Sequence, residues 1–312
     1  MNRVIIGALL VALVLLANWG GQLGVSAMVL LFSLAALREA FNMLEKQEIQ
    51  VPRTLILIFV CLFNVLALII PDLYEKYFFV VFFSHLTIFL LFTLCFYLLK
   101  LINGRVVERT NSSLKLDLSV SRDYEHFISS ILLLIYLGLA PSFYPLIRGL
   151  EHGDLFLLTI IFSVALNDIF ALVGGKIFGL IPLSKTISPN KKIEGSLFGL
   201  LMGSLCFALC ILLCKHQLDP RIISTIGSFM KGYLDIIHFK ATFLNWALVF
   251  ILGLILAIIA QMGDLFESMI KRRAKVKDSG TLLQAQGGIL DRIDSHYFVI
   301  GFAYLVFYFF IR

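Results

Sequence analysis

Runs of Leu, Ile, Val, Phe and Ala about twenty residues long recur along the whole chain, separated by short polar stretches. A membrane strand would show about ten residues of strict alternation, whereas a helix crossing roughly 30 Å of hydrocarbon needs about twenty apolar residues. The pattern therefore predicts spanning helices. About nine are expected, over residues 4–18, 22–37, 54–71, 77–99, 127–148, 154–174, 196–214, 242–263 and 297–311. The first two are short and joined by Asn18-Trp19-Gly20-Gly21-Gln22. They read as a tight hairpin or as a signal peptide and one span, and the hairpin is preferred because no small-x-small cleavage site follows the first run closely.

Composition agrees. Of 312 residues, 60% are hydrophobic and 15% charged, with a mean hydropathy of +0.95, far more apolar surface than a soluble domain of this size can bury. Twenty-nine Phe and only five Cys also exclude a disordered chain and a disulfide scaffold. The predicted class is an all-α polytopic membrane protein.

With nine spans and a cytoplasmic N-terminus, the inner connections hold 19 Lys and Arg and the outer side holds seven. Ten of the 19 lie in the two connections 176–195 and 264–296, which also concentrate the chemistry. The net charge of +6 suits anionic headgroups. No basic stretch is interleaved with stacking aromatics on a soluble module, so nucleic acid is not an expected partner.

Several features are read as structural. Asn103 to His126 is a solvated linker. Ile222, Ile226, Phe229, Met230 and Tyr233 recur at helical spacing in residues 215–240, as in a helix lying in the interface. Cys206, Cys210 and Cys214 share one helix face, where they serve better as small packing residues than as metal ligands, since one face cannot close a tetrahedron. His85 reads as an interhelical hydrogen-bonder. The division expected is residues 1–150 as N-terminal transmembrane helices and 151–312 as the catalytic transmembrane region.

Charges inside apolar runs are costly and mark function by default. Asp168, in Asn167-Asp168, lies about six residues before the end of the sixth run, roughly 9 Å deep at 1.5 Å per residue. After it come Gly174-Gly175-Lys176 and Ser188-Pro189-Asn190-Lys191-Lys192-Ile193-Glu194-Gly195, a lysine-rich helix entrance that can hold phosphate oxygens. The last polar region is denser. Asp264, Ser268 and Lys271 fall at i, i+4 and i+7 on one helix face, and Asp291 and Asp294 stand three apart on the next. Carboxylates and fixed cations together at a membrane edge fit a site where divalent metal bridges carboxylate to polyphosphate.

Residues 268–294 resemble the signature of the phosphatidate cytidylyltransferases (CDP-diacylglycerol synthases). That signature runs Ser-x-x-Lys-Arg, four residues, Lys-Asp-x-Gly, and then His-Gly-Gly-x-x-Asp-Arg-x-Asp. Ser268, Lys271, Arg272, Lys277, Asp278, Gly280, Gly287, Gly288, Asp291, Arg292 and Asp294 are in register with it. Asn167-Asp168 and Ser188 to Gly195 are also similar to that family. The chain departs at Gln286, where the family has His, at Gln284, and in Ser188-Pro189-Asn190-Lys191-Lys192, where the family reads Ser-Pro-Lys-Lys-Thr. Gln can donate a hydrogen bond but carries no proton, which suffices if the position only orients phosphate.

The resemblance implies transfer of CMP from CTP to phosphatidate at the cytoplasmic face, the inner membrane in a bacterium. It implies Asp264 and Asp291 as ligands of Mg²⁺, with room for a second metal ion, and Asp168, Lys271 and Arg272 as further catalytic groups. Ser188, Lys191, Glu194, Ser268, Lys277, Gln286, Gly287, Gly288, Arg292 and Asp294 would bind substrate. The partners are then CTP, phosphatidate and the bilayer, with homodimer formation left open. Two alternatives stay open: another CTP-dependent enzyme on a lipid phosphate, such as a polyprenol kinase or a CDP-archaeol synthase-like transferase, and a secondary transporter. Acidic residues clustered at one edge, rather than spread across the bilayer, favour an enzyme.

Overall fold

The computed structural model describes residues 3–69, 116–150, 152–214, 240–283 and 287–311, and positions 87, 90, 91 and 93. The expected fourth span, most of the Asn103 linker, residues 215–239, Gln284 and Gln286 lie outside the described residues.

The chain is predominantly helical. Helices α1 (Arg3–Trp19) and α2 (Gly21–Lys46) turn on Gly20 and Gly21, the latter with φ of +70°, and pack as the expected hairpin. Helix α3 (Arg53–Ile69) follows. Helix α4 (Leu116–Leu133) continues through a π turn (Leu134–Leu139) and a 3₁₀ turn (Ala140–Ser142) into α5 (Phe143–Gly149). Pro141 and Pro145 have no N–H, so the i→i−4 ladder must change pitch there. Beyond these lie α6 (Gly153–Phe178), a small antiparallel hairpin of β1 (Pro182–Ser184) and β2 (Ser188–Lys192), α7 (Ile193–Cys214), α8 (Lys240–Arg273) and α9 (Leu290–Ile311).

Five described segments are long and apolar enough to cross a membrane: Gly21–Lys46, Glu125–Gly149, Gly153–Phe178, Ile193–Ile211 and Trp246–Arg273. Each overlaps an expected run, and most extend past it. Helix α8 is the clearest case: its 34 residues rise about 51 Å, so it outruns roughly 30 Å of hydrocarbon and can carry its charged end clear of the apolar layer.

A small β hairpin accompanies the helices. Pro182 pairs with Lys192 and Ser184 with Ser188, the register slipping at a bulge between them. Pro189 sits in a two-stranded ribbon with an open edge, where its missing donor is tolerated.

The tightest packing is between α6 and α7, and glycine makes it. Gly195, Gly199 and Gly203 repeat at i, i+4 and i+8 on α7, facing Gly175, Ala171 and Asn167 of α6. A Cβ on Gly199 would stand 2.7 Å from the Ala171 Cβ, and one on Gly203 would stand 2.8 Å from the Asn167 Cβ. In lipid no hydrophobic force drives helices together, so close backbone approach through small residues is what holds such a pair. Gly199→Ala is therefore expected to lower stability by about 1–3 kcal/mol through overpacking, read as a drop in thermal midpoint in detergent. A loss no greater than that of Leu201→Ala, an exposed position on the same helix, would show that the contact contributes little.

Candidate active site

The C-terminal half of α6, the start of α7, the C-terminal end of α8 and the start of α9 meet at one end of the bundle, with β2 across them. They enclose a cavity of about 490 Å³. Into it come Asp168 from α6, Lys191 from β2, Asp264 and Lys271 from α8, and Asp291, Arg292 and Asp294 from α9. Residues as far apart as 168 and 294 thus form one charged chamber. Helix spacing sets up the pieces, since Asp264 and Lys271 lie two turns apart on α8, and Asp291 and Asp294 nearly one turn apart on α9. Gly263 lets the last two helices close, because a Cβ there would stand 2.9 Å from the Asp294 carbonyl oxygen.

The charges are internally balanced. Lys191 is ion-paired with Asp264, and Lys271 with both Glu267 and Asp291, its Nζ standing 2.7 Å from Asp291 Oδ1. Burial pushes the Lys191 ammonium below its ordinary range, opposed by the carboxylates of Asp168 and Asp294. Asp291 also accepts the backbone N–H groups of Ser279 at 3.0 Å and Gly288 at 2.8 Å, which folds the signature loop onto the start of α9. Gly287, with φ of +84°, makes the turn that allows this. Lys191 and Lys271 thus each have a carboxylate partner that an incoming phosphate can replace.

A polar layer forms part of the chamber wall. Gln261 Nε2 donates to Asn167 Oδ1 at 3.1 Å and to the Ser196 carbonyl at 3.0 Å, and Ser196 Oγ donates to Gln261 Oε1. Asn167 Nδ2 in turn donates to Asp168 Oδ1 at 3.3 Å. This chain crosses α7, α8 and α6 and orients Asp168, in a setting where an unmet polar group would be costly.

Other predicted residues fall around the chamber rather than in its lining. Arg272 Nε donates to the Ile187 carbonyl at 3.1 Å, tying α8 to the β hairpin. Ser188 opens β2. Glu194 accepts the N–H groups of Leu180 at 3.1 Å and Ile181 at 3.2 Å, closing the hairpin onto α7. Ser268 is buried, Lys277 is exposed, and Gly287 and Gly288 form the loop against Asp291. Gln286 lies outside the described residues. Gly174-Gly175-Lys176 sits inside α6 rather than at a helix entrance, so its N–H groups are already used in the helix and its glycines serve the α7 contact, although Gly175 and Lys176 do reach the chamber lining.

Three residues escaped sequence reasoning. Glu267, fully buried, sits one turn before Lys271 and shares its ammonium; an acidic residue at i−4 from a signature lysine was the available signal. Gln261 was visible as a lone amide in an apolar run. Glu39 had almost no signal. It lies in α2, more than two hundred residues from the loop it serves, and is 3% exposed. Its Oε2 accepts from Ser279 Oγ at 3.0 Å and Leu290 N at 2.9 Å, and its Oε1 from Ile289 N at 3.1 Å. It caps the otherwise orphaned N–H groups at the start of α9.

The donor set suits a hard divalent cation. Asp168, Asp264, Asp291 and Asp294 all line the chamber. Among the described residues no three His, Cys, Asp or Glu side chains gather into a closed cage. Mg²⁺ needs no such cage, because it binds through one or two carboxylates together with substrate phosphate and water.

The chain matches the model of the cytidylyltransferase family over residues 1–310. It is 32% identical over 199 residues to a protein of Helicobacter pylori (strain ATCC 700392 / 26695) named phosphatidate cytidylyltransferase, a stretch covering 63% of this chain and 63% of that relative. Proteins of the same name from Rickettsia bellii and a Synechocystis strain are 35% identical over 180 residues and 40% identical over 146. Those stretches cover 56% and 46% of this chain and 69% and 38% of the respective relatives.

Proposed function

The chain belongs to the cytidylyltransferase family, and on that footing we propose that it transfers CMP from CTP to phosphatidate, giving CDP-diacylglycerol and pyrophosphate. The observation that carries this reading is the single chamber in which four aspartates meet Lys191, Lys271 and Arg292 at the end of a membrane bundle. Such a chamber matches a triphosphate and a lipid phosphate brought together, whose combined negative charge needs cations and metal-bridging carboxylates.

In this reaction an oxygen of the lipid phosphate attacks the α-phosphorus of CTP. The new P–O bond forms as the bond to the β-phosphate breaks, and pyrophosphate leaves with the electron pair. Asp264 and Asp291 would hold Mg²⁺, which when bound supplies charge neutralisation along the triphosphate. Lys191, Lys271 and Arg292 hold phosphate oxygens in line, the two lysines exchanging their carboxylate partners for substrate. Asp168, oriented by Asn167, and Asp294 close the chamber on the membrane side. Positioning and charge carry most of the work, since transfers at phosphorus need little covalent help from protein. No general acid is required at position 286, because metal-bound pyrophosphate leaves readily.

Residues 151–312 form the catalytic region in this reading, with the N-terminal helices completing it through Glu39. The bundle holds about nine spans, and the chamber and the N-terminus face the cytoplasm, the side that CTP reaches.

The test is incubation of the purified protein with CTP labelled at the α- or the γ-phosphate, Mg²⁺ and a panel of lipid phosphates. Label from the α position should enter lipid with phosphatidate. Label entering only from the γ position would make the protein a CTP-dependent kinase instead.

The two neighbouring lysines should separate. Lys191→Ala removes the cation paired with Asp264 and is expected to raise the KM for CTP about tenfold or more, the scale of one lost charge-assisted contact of roughly 1.5–3 kcal/mol. Lys192→Thr restores the residue type of the resembled family and should be tolerated. Equal tolerance at both positions in CTP titrations would take the phosphate role away from β2.

A further inference from the structure

A second cavity, of about 210 Å³, lies between α1, α2, α6 and α9 beside the charged chamber. Its walls are hydrocarbon, from Val14, Met28, Phe32, Leu158, Ile161 and Ala165 among others. Besides Tyr144 and Tyr297, the latter with its hydroxyl bonded to Ser33, two nitrogen-bearing groups interrupt that surface. Arg292 lines this cavity and the charged chamber alike. His296, one turn further along α9, also lines it, and its Nδ1 is buried without a hydrogen-bond partner. The two share a helix face. On α6, Leu158, Ile161 and Ala165 run at helical spacing into Asp168, which lines the chamber.

The border between the cavities therefore presents a fixed order: a guanidinium, then an imidazole about one turn away, then apolar wall. A buried nitrogen with no partner is costly, and a largely apolar pocket with a few placed polar groups is the usual form of a small-molecule site. The complementary molecule carries an anionic phosphate, then a hydrogen-bond acceptor, then an alkyl chain. A glycerolipid phosphate has this order in its phosphate, ester carbonyl and acyl chain.

We propose that this apolar cavity seats one acyl chain of the lipid phosphate substrate, with the phosphate at Arg292 and the ester carbonyl accepting from His296 Nδ1–H. The inference rests on the nucleotidyl-transfer reading for which reaction that phosphate enters. It assigns the N-terminal hairpin a share of the lipid site, through Val14, Met28 and Phe32.

The test uses the full-length protein in phosphatidylcholine nanodiscs and a phosphatidate carrying a photoreactive diazirine midway along one acyl chain. Labelled peptides are mapped by mass spectrometry. Label should fall on Leu10–Leu15 and Leu158–Ala165, and drop about tenfold or more with excess unlabelled phosphatidate. Label scattered elsewhere, or competed equally by added short-chain phosphatidylcholine, would reduce the cavity to a general lipid groove and overturn the proposal.

Two variants sharpen it. Ala165→Phe should raise the KM for long-chain phosphatidate about tenfold more than that for the dihexanoyl lipid, since each buried methylene contributes about fourfold in binding. An unaltered chain-length dependence would count against the seat. His296→Phe should erase the wild-type preference for ester-linked over ether-linked phosphatidate, and a wild type without that preference would remove the carbonyl contact. If the label keeps its pattern but no CMP enters lipid from CTP, the transfer reading fails and the acyl seat stands. Scattered label with normal turnover gives the reverse.

Discussion

Asp264→Asn is expected to lower cytidylyl transfer on the order of 10³-fold while the protein stays folded in detergent, the upper range for loss of one charge-stabilising group at a reaction centre. Asp264 lines the chamber and its only ion-pair partner among the described residues is Lys191; the side chains of the pair are 25% and 37% exposed. Losing this partner costs Lys191 little, because the Asp168 and Asp294 carboxylates still favour its ammonium and its side chain is partly exposed. Activity and stability should therefore separate cleanly at this position. Asp291→Ala should lose turnover to a similar degree but also lose stability, because Asp291 holds Lys271 and the N–H groups of Ser279 and Gly288 at once. Turnover with α-labelled CTP and thermal unfolding, measured side by side, give both quantities. Asp264→Asn retaining a tenth of wild-type activity would remove the metal-ligand assignment.

Glu39→Ala should be the most damaging substitution outside the C-terminal half. It strands three donors, Ser279 Oγ and the N–H groups of Ile289 and Leu290, in a buried setting. At about 1–3 kcal/mol for each buried group left unmet, the loss is at least 3 kcal/mol, a large fraction of the stability of most domains. The loop also positions Asp291, so turnover should fall even at temperatures where the variant is folded. Glu39→Gln keeps one acceptor oxygen and turns an amide toward donors on the other side, so it should fall between wild type and alanine in both assays. A folded, fully active Glu39→Ala protein would mean that the signature loop is held by its own contacts alone.

The apolar helices were legible because lipid imposes one rule along the chain, a run of apolar residues long enough to cross; eight of the nine expected runs coincide with described helices, and five described segments are long and apolar enough to span. Their ends were less legible. Helix α8 continues ten residues past its apolar run, to Arg273, because its backbone bonds need no apolar surroundings once the side chains reach water. The β hairpin was not legible, since Ser188 to Lys192 carries no alternation and depends on pairing with Pro182–Ser184.

The charged site was half legible for a similar reason. Asp264 and Lys271, or Asp291 and Asp294, share a face through helical spacing alone, so linear reasoning reaches them. Whether Asp168 of α6 meets Asp294 of α9 depends on how closely the helices approach, and Gly195, Gly199, Gly203 and Gly263 decide that through contacts with partners far away in sequence.

By itself, then, the sequence determined the membrane class, the position of most apolar helices and the charged residues that cluster at one edge, because each follows from local periodicity or from the cost of charge in lipid. Only the tertiary structure decided which of those residues face one chamber, that Glu39 and Glu267 support it, and that an apolar cavity adjoins it at Arg292. Those outcomes depend on the distance between helices, and packing of side chains from distant segments sets that distance.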